Sequence, residues 1–183
     1  KHKEGCKPKV LNPEVVKPSA SYTITSIASD ADGKLTWKTT GESGTLPYIV
    51  EQYRWNKWVK VGEVQGKGTA GEHAYTFKVT PHSGKNKVRI KQVDNAGAKT
   101  SQDVPFTAKV AQVNYALDPA GKTITFTNTT SQPTETMYEI FDKFGNMMAR
   151  GYSAKVDVSK LAVGTYYLNY DKSNAEIIIP KRK

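Results

Sequence analysis

From residue 22 to residue 104 the chain repeats one pattern. A short run of alternating apolar and polar residues is followed by a cluster of Gly, Asn, Asp, Ser or Pro. The runs are YTITSIA, KLTWKT, YIVEQYR, WVKVGEV, HAYTFKV, NKVRIKQV and AKTSQDV; DADG, GESGTLP, GKGTAGE, PHSGK and DNAG separate them. Alternation of period two puts successive side chains on opposite faces of a strand. Gly, Asn and Asp accept the positive φ that a tight reversal needs. Such a segment is constrained to stack short antiparallel strands in two layers.

A second set begins near residue 112, with VNYAL, KTITFTN, MYEIFD, NMMAR, AKVDV, TYYLNY and AEIIIP, turned by DPAG, SQPTE, KFG, SKLAVG and DKSN. In TYYLNY the alternation predicts Tyr166, Leu168 and Tyr170 on one face and Thr165, Tyr167 and Asn169 on the other. No stretch sustains helical apolar spacing for three turns. The expected fold is all-β, two consecutive immunoglobulin- or fibronectin-like β-sandwiches over residues 20–108 and 112–183. Residues 1–19, with Pro8, Pro13 and Pro18 among lysines, read as an extended leader or linker. A chain of 183 residues suits two small domains.

Charge raises the question of an anionic partner. The net charge is +10, from 27 basic and 17 acidic residues. Lys85, Lys87, Arg89 and Lys91, however, fall at alternate positions of one run, which places them on a single solvated face. Solubility accounts for that pattern, and no nucleic-acid partner is expected. Cys6 is the only cysteine, so no internal disulfide can form. With His2 as its one neighbouring ligand it makes no zinc site; it reads as a free thiol. No apolar run approaches the ~20 residues of a membrane helix, and KHKEGCKPK lacks the apolar stretch of a signal peptide.

Catalytic patterns fail on context. Gly66-Lys67-Gly68-Thr69-Ala70-Gly71 matches the dinucleotide fingerprint GxGxxG by letter. That fingerprint needs a helix after it to face the pyrophosphate, and a strand, HAYTFKV, follows. These glycines are expected to form a loop between strands. GESGT around Ser43 misses the spacing of a nucleophile elbow. His73 and His82 have no carboxylate constellation near them in sequence. Neither enzymatic activity nor a cofactor or metal is expected. A better candidate is YRWNKWVKV, which sets Tyr53, Trp55 and Trp58 around a hairpin tip at Asn56-Lys57. Exposed aromatic rings stack on sugars or bases. Trp37 reads as core, Tyr53 or Trp58 can also pack inward, and Trp55 is the ring expected to be exposed.

Residues 34–100 resemble the fibronectin-like module found beside sorting domains in Bacteroidetes surface proteins. Leu35, Trp37, Thr39 and Glu42 fit its L-x-W-x-T-x-x-E start. Trp58, Val61, Gly62, Val64, Gly66 and Gly68 fit its middle, and Arg89, Ile90, Lys91, Gln92, Val93, Asp94 and Gly97 fit its end. RWNKW stands where that module usually has Ser-x-Asp-Gly, and Val88 where it often has tyrosine. The C-terminal stretch is similar to the sorting domain of type IX secretion cargo. Tyr138, Ile140, Asp142 and Gly145 fit its first motif, and Val156, Asp157, Val158, Ser159, Leu161, Gly164, Tyr166 and Leu168 its second. Ile177 to Lys183 supply the last strand and basic end, while VNYALDPAGKTITF replaces the usual YPNP opening.

The resemblance implies a non-catalytic protein exported through a periplasmic intermediate to the cell surface or outside the cell, with association to the outer membrane. Its signal would comprise Asp157, Ser159, Leu161, Gly164, Tyr166, Lys181, Arg182 and Lys183, read by an outer-membrane type IX translocon or shuttle protein. Physically, Asp157 and Ser159 suit a corner, Leu161 a plug beneath it, and Gly164 a backbone conformation closed to other residues. The first sandwich would serve interaction or adhesion. Alternatives are a resident, uncleaved component of the secretion or gliding apparatus, and a surface-glycan binder using Trp55 and Trp58. A polyanion binder would betray itself by steep salt dependence.

Overall fold

The computed structural model describes residues 21–183. The expected leader at 1–19, with Cys6 and His2, lies outside the described residues. The first sandwich comprises β1 (Ser21–Ser29), β2 (Lys34–Ser43), β3 (Pro47–Arg54), β4 (Lys57–Gln65), β5 (His73–Lys78), β6 (Gly84–Asp94), β7 (Gly97–Thr100) and β8 (Val104–Ala108). One sheet has the order β1-β2-β5; the other runs β4-β3-β6-β7, with β8 also on β6, and all pairs are antiparallel. The described residues contain no helix.

The run AKTSQDV is a correction: it is not one strand. β7 pairs with Lys91–Asp94 of β6 and β8 with Gly84–Val88, on the edge opposite β3. Between them the chain leaves the ladder, and Ser101 bridges the gap. Its amide donates to the Ile90 carbonyl at 2.9 Å and its hydroxyl accepts from the Ile90 amide at 3.0 Å. Pro105, which has no N–H to donate, sits at the start of the resumed strand.

The second sandwich comprises β9 (Asn114–Leu117), β10 (Thr123–Thr127), β11 (Thr136–Asp142), β12 (Met147–Ser153), β13 (Lys155–Asp157), β14 (Gly164–Tyr170) and β15 (Ser173–Ile179). Its sheets have the orders β13-β10-β9 and β12-β11-β14-β15. Tyr166, Leu168 and Tyr170 face inward and Tyr167 outward, 46% exposed, as the alternation of TYYLNY requires.

Two separate cores result. Leu35, Trp37, Tyr48, Val50, Val88, Ile90 and Phe106 belong to the first. Ile124, Phe126, Ile140, Leu168, Ile177 and Ile179 belong to the second, which begins at Val113. Each fully buried aliphatic side chain contributes about 1.5–3 kcal/mol. In the first core Trp37 stacks on Tyr75 with centroids 5.5 Å apart and planes 24° apart. No helix among the described residues is long and apolar enough to cross a membrane.

Candidate functional site

The corner after β13 is built from short hydrogen bonds. Asp157 Oδ1 accepts from the Ser159 amide at 2.8 Å. Hydrogen bonding by the Ser159 side chain and then its amide holds the Asp157 carboxyl below the usual carboxylate range. The Leu161 amide closes a turn on the Val158 carbonyl at 3.0 Å, and Leu161 packs against the second core. The Tyr166 hydroxyl then donates to the Ala162 carbonyl at 2.9 Å. A tyrosine hydroxyl bonded to backbone a few residues upstream is the tyrosine corner of many sandwiches. Gly164 opens β14 with φ of +149°, a conformation that disfavours a side chain.

Arg182 completes this corner. Its Nη1 donates to the carbonyls of Ser159 and, at 2.9 Å, Leu161. Its Nη2 donates to Gly121 at 2.8 Å and Val158 at 2.9 Å. Pro180 lies over Gly121, where an added Cβ would come within 2.3 Å of its Cδ. The basic end is therefore not three equivalent charges: Arg182 is an anchor, and only Lys181 and Lys183 are exposed.

The aromatic hairpin is less open than its sequence suggests. Trp55 was expected to be exposed; it is half-buried, and its indole Nε1 is sheltered with no acceptor among the described residues. Tyr53 and Trp58 meet edge to face, centroids 5.3 Å apart at 67°. The Arg89 guanidinium lies 4.0 Å over the Trp58 ring and Lys87 Nζ 4.5 Å over Tyr53. Crossed rings with cations over them offer no flat platform for a sugar. Arg89 and Lys91 also pair with the buried Glu51 at 2.9 and 3.1 Å. Lys85 is exposed, but Lys87, Arg89 and Lys91 are half-buried, so this face is less solvated than its alternation implied.

The hairpin tip expected at Asn56-Lys57 lies at Trp55-Asn56, which makes Arg54 and Lys57 the last paired residues; with others that the sequence did not single out, they join the two sandwiches. Arg54, 2% exposed, donates from Nη1 to the Asp171 carbonyl at 2.8 Å, and within its own sandwich to Gln52 Oε1 and the Thr80 carbonyl. Burial lowers the Arg54 pKa to about 10, opposed by the Asp171 charge, so it stays cationic at neutral pH. The Asp171 carboxylate accepts from the Ser83 amide at 3.2 Å and hydroxyl at 2.8 Å. Lys57 pairs with Glu139 at 2.7 Å and lies 5.0 Å over the Phe141 ring. No local signal marks these pairs; only the departure of RWNKW from its module's usual tip pointed at the hairpin.

No family model matches the chain, and no curated protein does. Solved structures do. The FN1-FN3 domains of chicken CNTN1 are 13% identical at a TM-score of 0.29, covering 91% of this chain and 66% of that one. Fibronectin(III)-like modules of Clostridium thermocellum CbhA are 16% identical at 0.27, covering 87% and 94%. Dimeric latent PorU from Porphyromonas gingivalis is 11% identical at 0.28, covering 94% and 20%. Likeness at this level ties the chain to none of the three.

The residues at the start of the fibronectin-like resemblance are structural. Leu35, Trp37 and Thr39 are fully buried, and Glu42 is 5% exposed. The Glu42 carboxylate accepts the Tyr48 hydroxyl at 2.6 Å and the Tyr75 hydroxyl at 2.8 Å. GKGTAG is the β4–β5 loop, with no helix after it. Gly66 is buried there, and a Cβ on it would fall 2.6 Å from the Leu46 carbonyl oxygen. His73 stands 3.5 Å from Glu42, and His82 is buried with Nδ1 2.9 Å from the Ser83 carbonyl. Among the described residues no group of three or more His, Cys, Asp or Glu could hold a metal ion.

This core makes alkaline pH its weak side. Burial pushes Tyr22 up to about 12 and raises Tyr48 and Tyr75, the latter two aided by Glu42. Between the ordinary tyrosine pKa of ~10 and these raised values the unfolded chain releases protons that the folded chain keeps. Stability is therefore full below pH ~10 and falls as pH rises through the folded values. Urea unfolding across that range, with ultraviolet titration of tyrosinate, checks it; a flat profile contradicts it.

Proposed function

We propose that the chain is a non-catalytic pair of sandwiches, the second acting as an export signal of the type IX kind that delivers the protein to the cell surface. One spatial observation carries the reading. The continuous stretch VDVSKLAVGTYYL and the basic end, more than twenty residues apart at their contacts, meet in the second sandwich, where Arg182 bonds the carbonyls of Val158, Ser159 and Leu161. The recognisable unit is then a folded corner with Lys181 and Lys183 projecting beside it. The partner is an outer-membrane translocon or shuttle. β15 is an edge strand of its sheet, and an edge offers a row of backbone donors and acceptors for strand addition.

Deleting Ala175–Lys183 would be a poor test, because it removes Ile177 and Ile179 from the core. A better one compares the full chain, the chain without residues 112–183, and the double variant Lys181→Ala/Lys183→Ala in a bacterium with type IX secretion. Surface protease accessibility is the readout. The full chain is expected at the surface, the truncation in the periplasm, and the double variant folded but delivered less. Normal surface delivery of the truncation would overturn the reading.

A further inference from the structure

The tip of the β3–β4 hairpin breaks a local rule. Its two loop residues, Trp55 and Asn56, have φ of 52° and 61°, the pattern of a type I′ turn. Such turns favour Asn-Gly or Asp-Gly, and a bulky residue in the first place is strained. Strain of this kind persists where the surroundings over-determine it. Here the flanking residues Arg54 and Lys57 both reach the second sandwich. The β14–β15 hairpin answers in kind. Asp171 at its tip, also at positive φ (47°), is 3% exposed between Arg54 and Ser83 of the first sandwich.

We propose that these two hairpin tips form a reciprocal clasp that holds the sandwiches in one orientation. The Arg54–Lys57 tip is thus an intramolecular docking element and not a ligand site. Domains joined only by a linker are expected to move relative to one another. The linker near residues 109–112 is one attachment; Arg54 and Ser83 on Asp171 are a second, and Lys57 on Glu139 and Phe141 a third. A further bond runs from Arg150 Nη2 to the Lys60 carbonyl at 3.1 Å. Contacts at several separate residues, added to the linker, oppose the relative motion that a linker alone would permit.

The polar bonds are backed from within. Asn86 Oδ1 accepts from Gln52 Nε2 at 2.9 Å, and Gln52 Oε1 from Arg54 Nε at 2.8 Å, so the cation reaching across is itself held in a buried chain. Glu139 is 2% exposed although it lies on the outward face of its sheet, because the first sandwich covers that part. Met137 and Tyr152 beside it share a crevice of about 280 Å³ with Val61 and Phe77. The clasp covers Glu139 on the outward face and leaves Met147, Tyr152, Tyr167 and Ile178 exposed there. This holds whether or not the chain is exported.

Backbone nuclear relaxation on the full chain tests it. Both sandwiches are expected to share one rotational correlation time, that of a single 20.2 kDa body. Lys57→Glu is expected to separate the two times and lower hydrogen-exchange protection at Glu139 and Asp171. Lys57→Glu combined with Glu139→Lys should restore both, and Ser83→Ala/Asp171→Ala should separate them again with each sandwich still folded. Two distinct correlation times in the unaltered protein, or a charge swap no better than its single variant, would overturn the clasp.

Discussion

Glu42→Ala is expected to lower the stability of the first sandwich by about 4 kcal/mol. The carboxylate takes hydroxyls from Tyr48 and Tyr75 inside the core. Truncation orphans both donors, at ~1–3 kcal/mol each, and the lost methylenes and residual cavity add to that. Gly66 packs close above: a Cβ there would lie 3.4 Å from Glu42 Oε1, so the loop has little room to bring a substitute acceptor. Glu42→Gln keeps one acceptor oxygen and loses only the charge assistance, for a cost of about 1–2 kcal/mol. Single domains have only ~5–15 kcal/mol in all. Urea unfolding measures both variants, and a loss under ~1 kcal/mol for Glu42→Ala would refute the account.

What was legible in the sequence was what local periodicity determines. The inward Tyr166, Leu168 and Tyr170 and the alternation of β6 follow from the two-residue repeat of a strand and need no knowledge of the partner strands. The break at Ser101 was hidden because it depends on which part of β6 each half of AKTSQDV meets. Trp55 was misjudged for a related reason. A ring at a turn reads as exposed on local pattern alone, but Arg54, 5.8 Å from its centroid, is held in place by Asp171, 117 residues away. Arg182 was legible as a charge but not as an anchor, since its acceptors are backbone carbonyls, which every residue has. The tip read at Asn56-Lys57 lies one residue earlier, at Trp55-Asn56; Trp-Asn in a turn that prefers Asn-Gly is a local conflict, and such conflicts mark places where a distant contact decides.

Arg182→Ala is expected to lower the stability of the second sandwich by about 2–3 kcal/mol. One guanidinium serves four carbonyls from the corner and the Gly121 turn, and hydrogen bonds to a charged group contribute ~1.5–3 kcal/mol each where they are well sheltered. Arg182 is half-buried, so water replaces part of what is lost, which keeps the total well below the sum of four bonds. Arg182→Lys should recover little, because a single ammonium cannot span acceptors arranged for a planar fork. Lys181→Ala and Lys183→Ala, both at exposed positions, should change stability by no more than ~0.5 kcal/mol. That contrast separates folding from recognition at the chain end. Export lost in Lys181→Ala/Lys183→Ala at unchanged stability assigns reading of the signal to the projecting lysines. Export lost only in Arg182→Ala, in step with stability, assigns it to the folded corner. Equal stability of Arg182→Ala and Lys183→Ala in urea would mean that the carbonyl cage does not hold the tail.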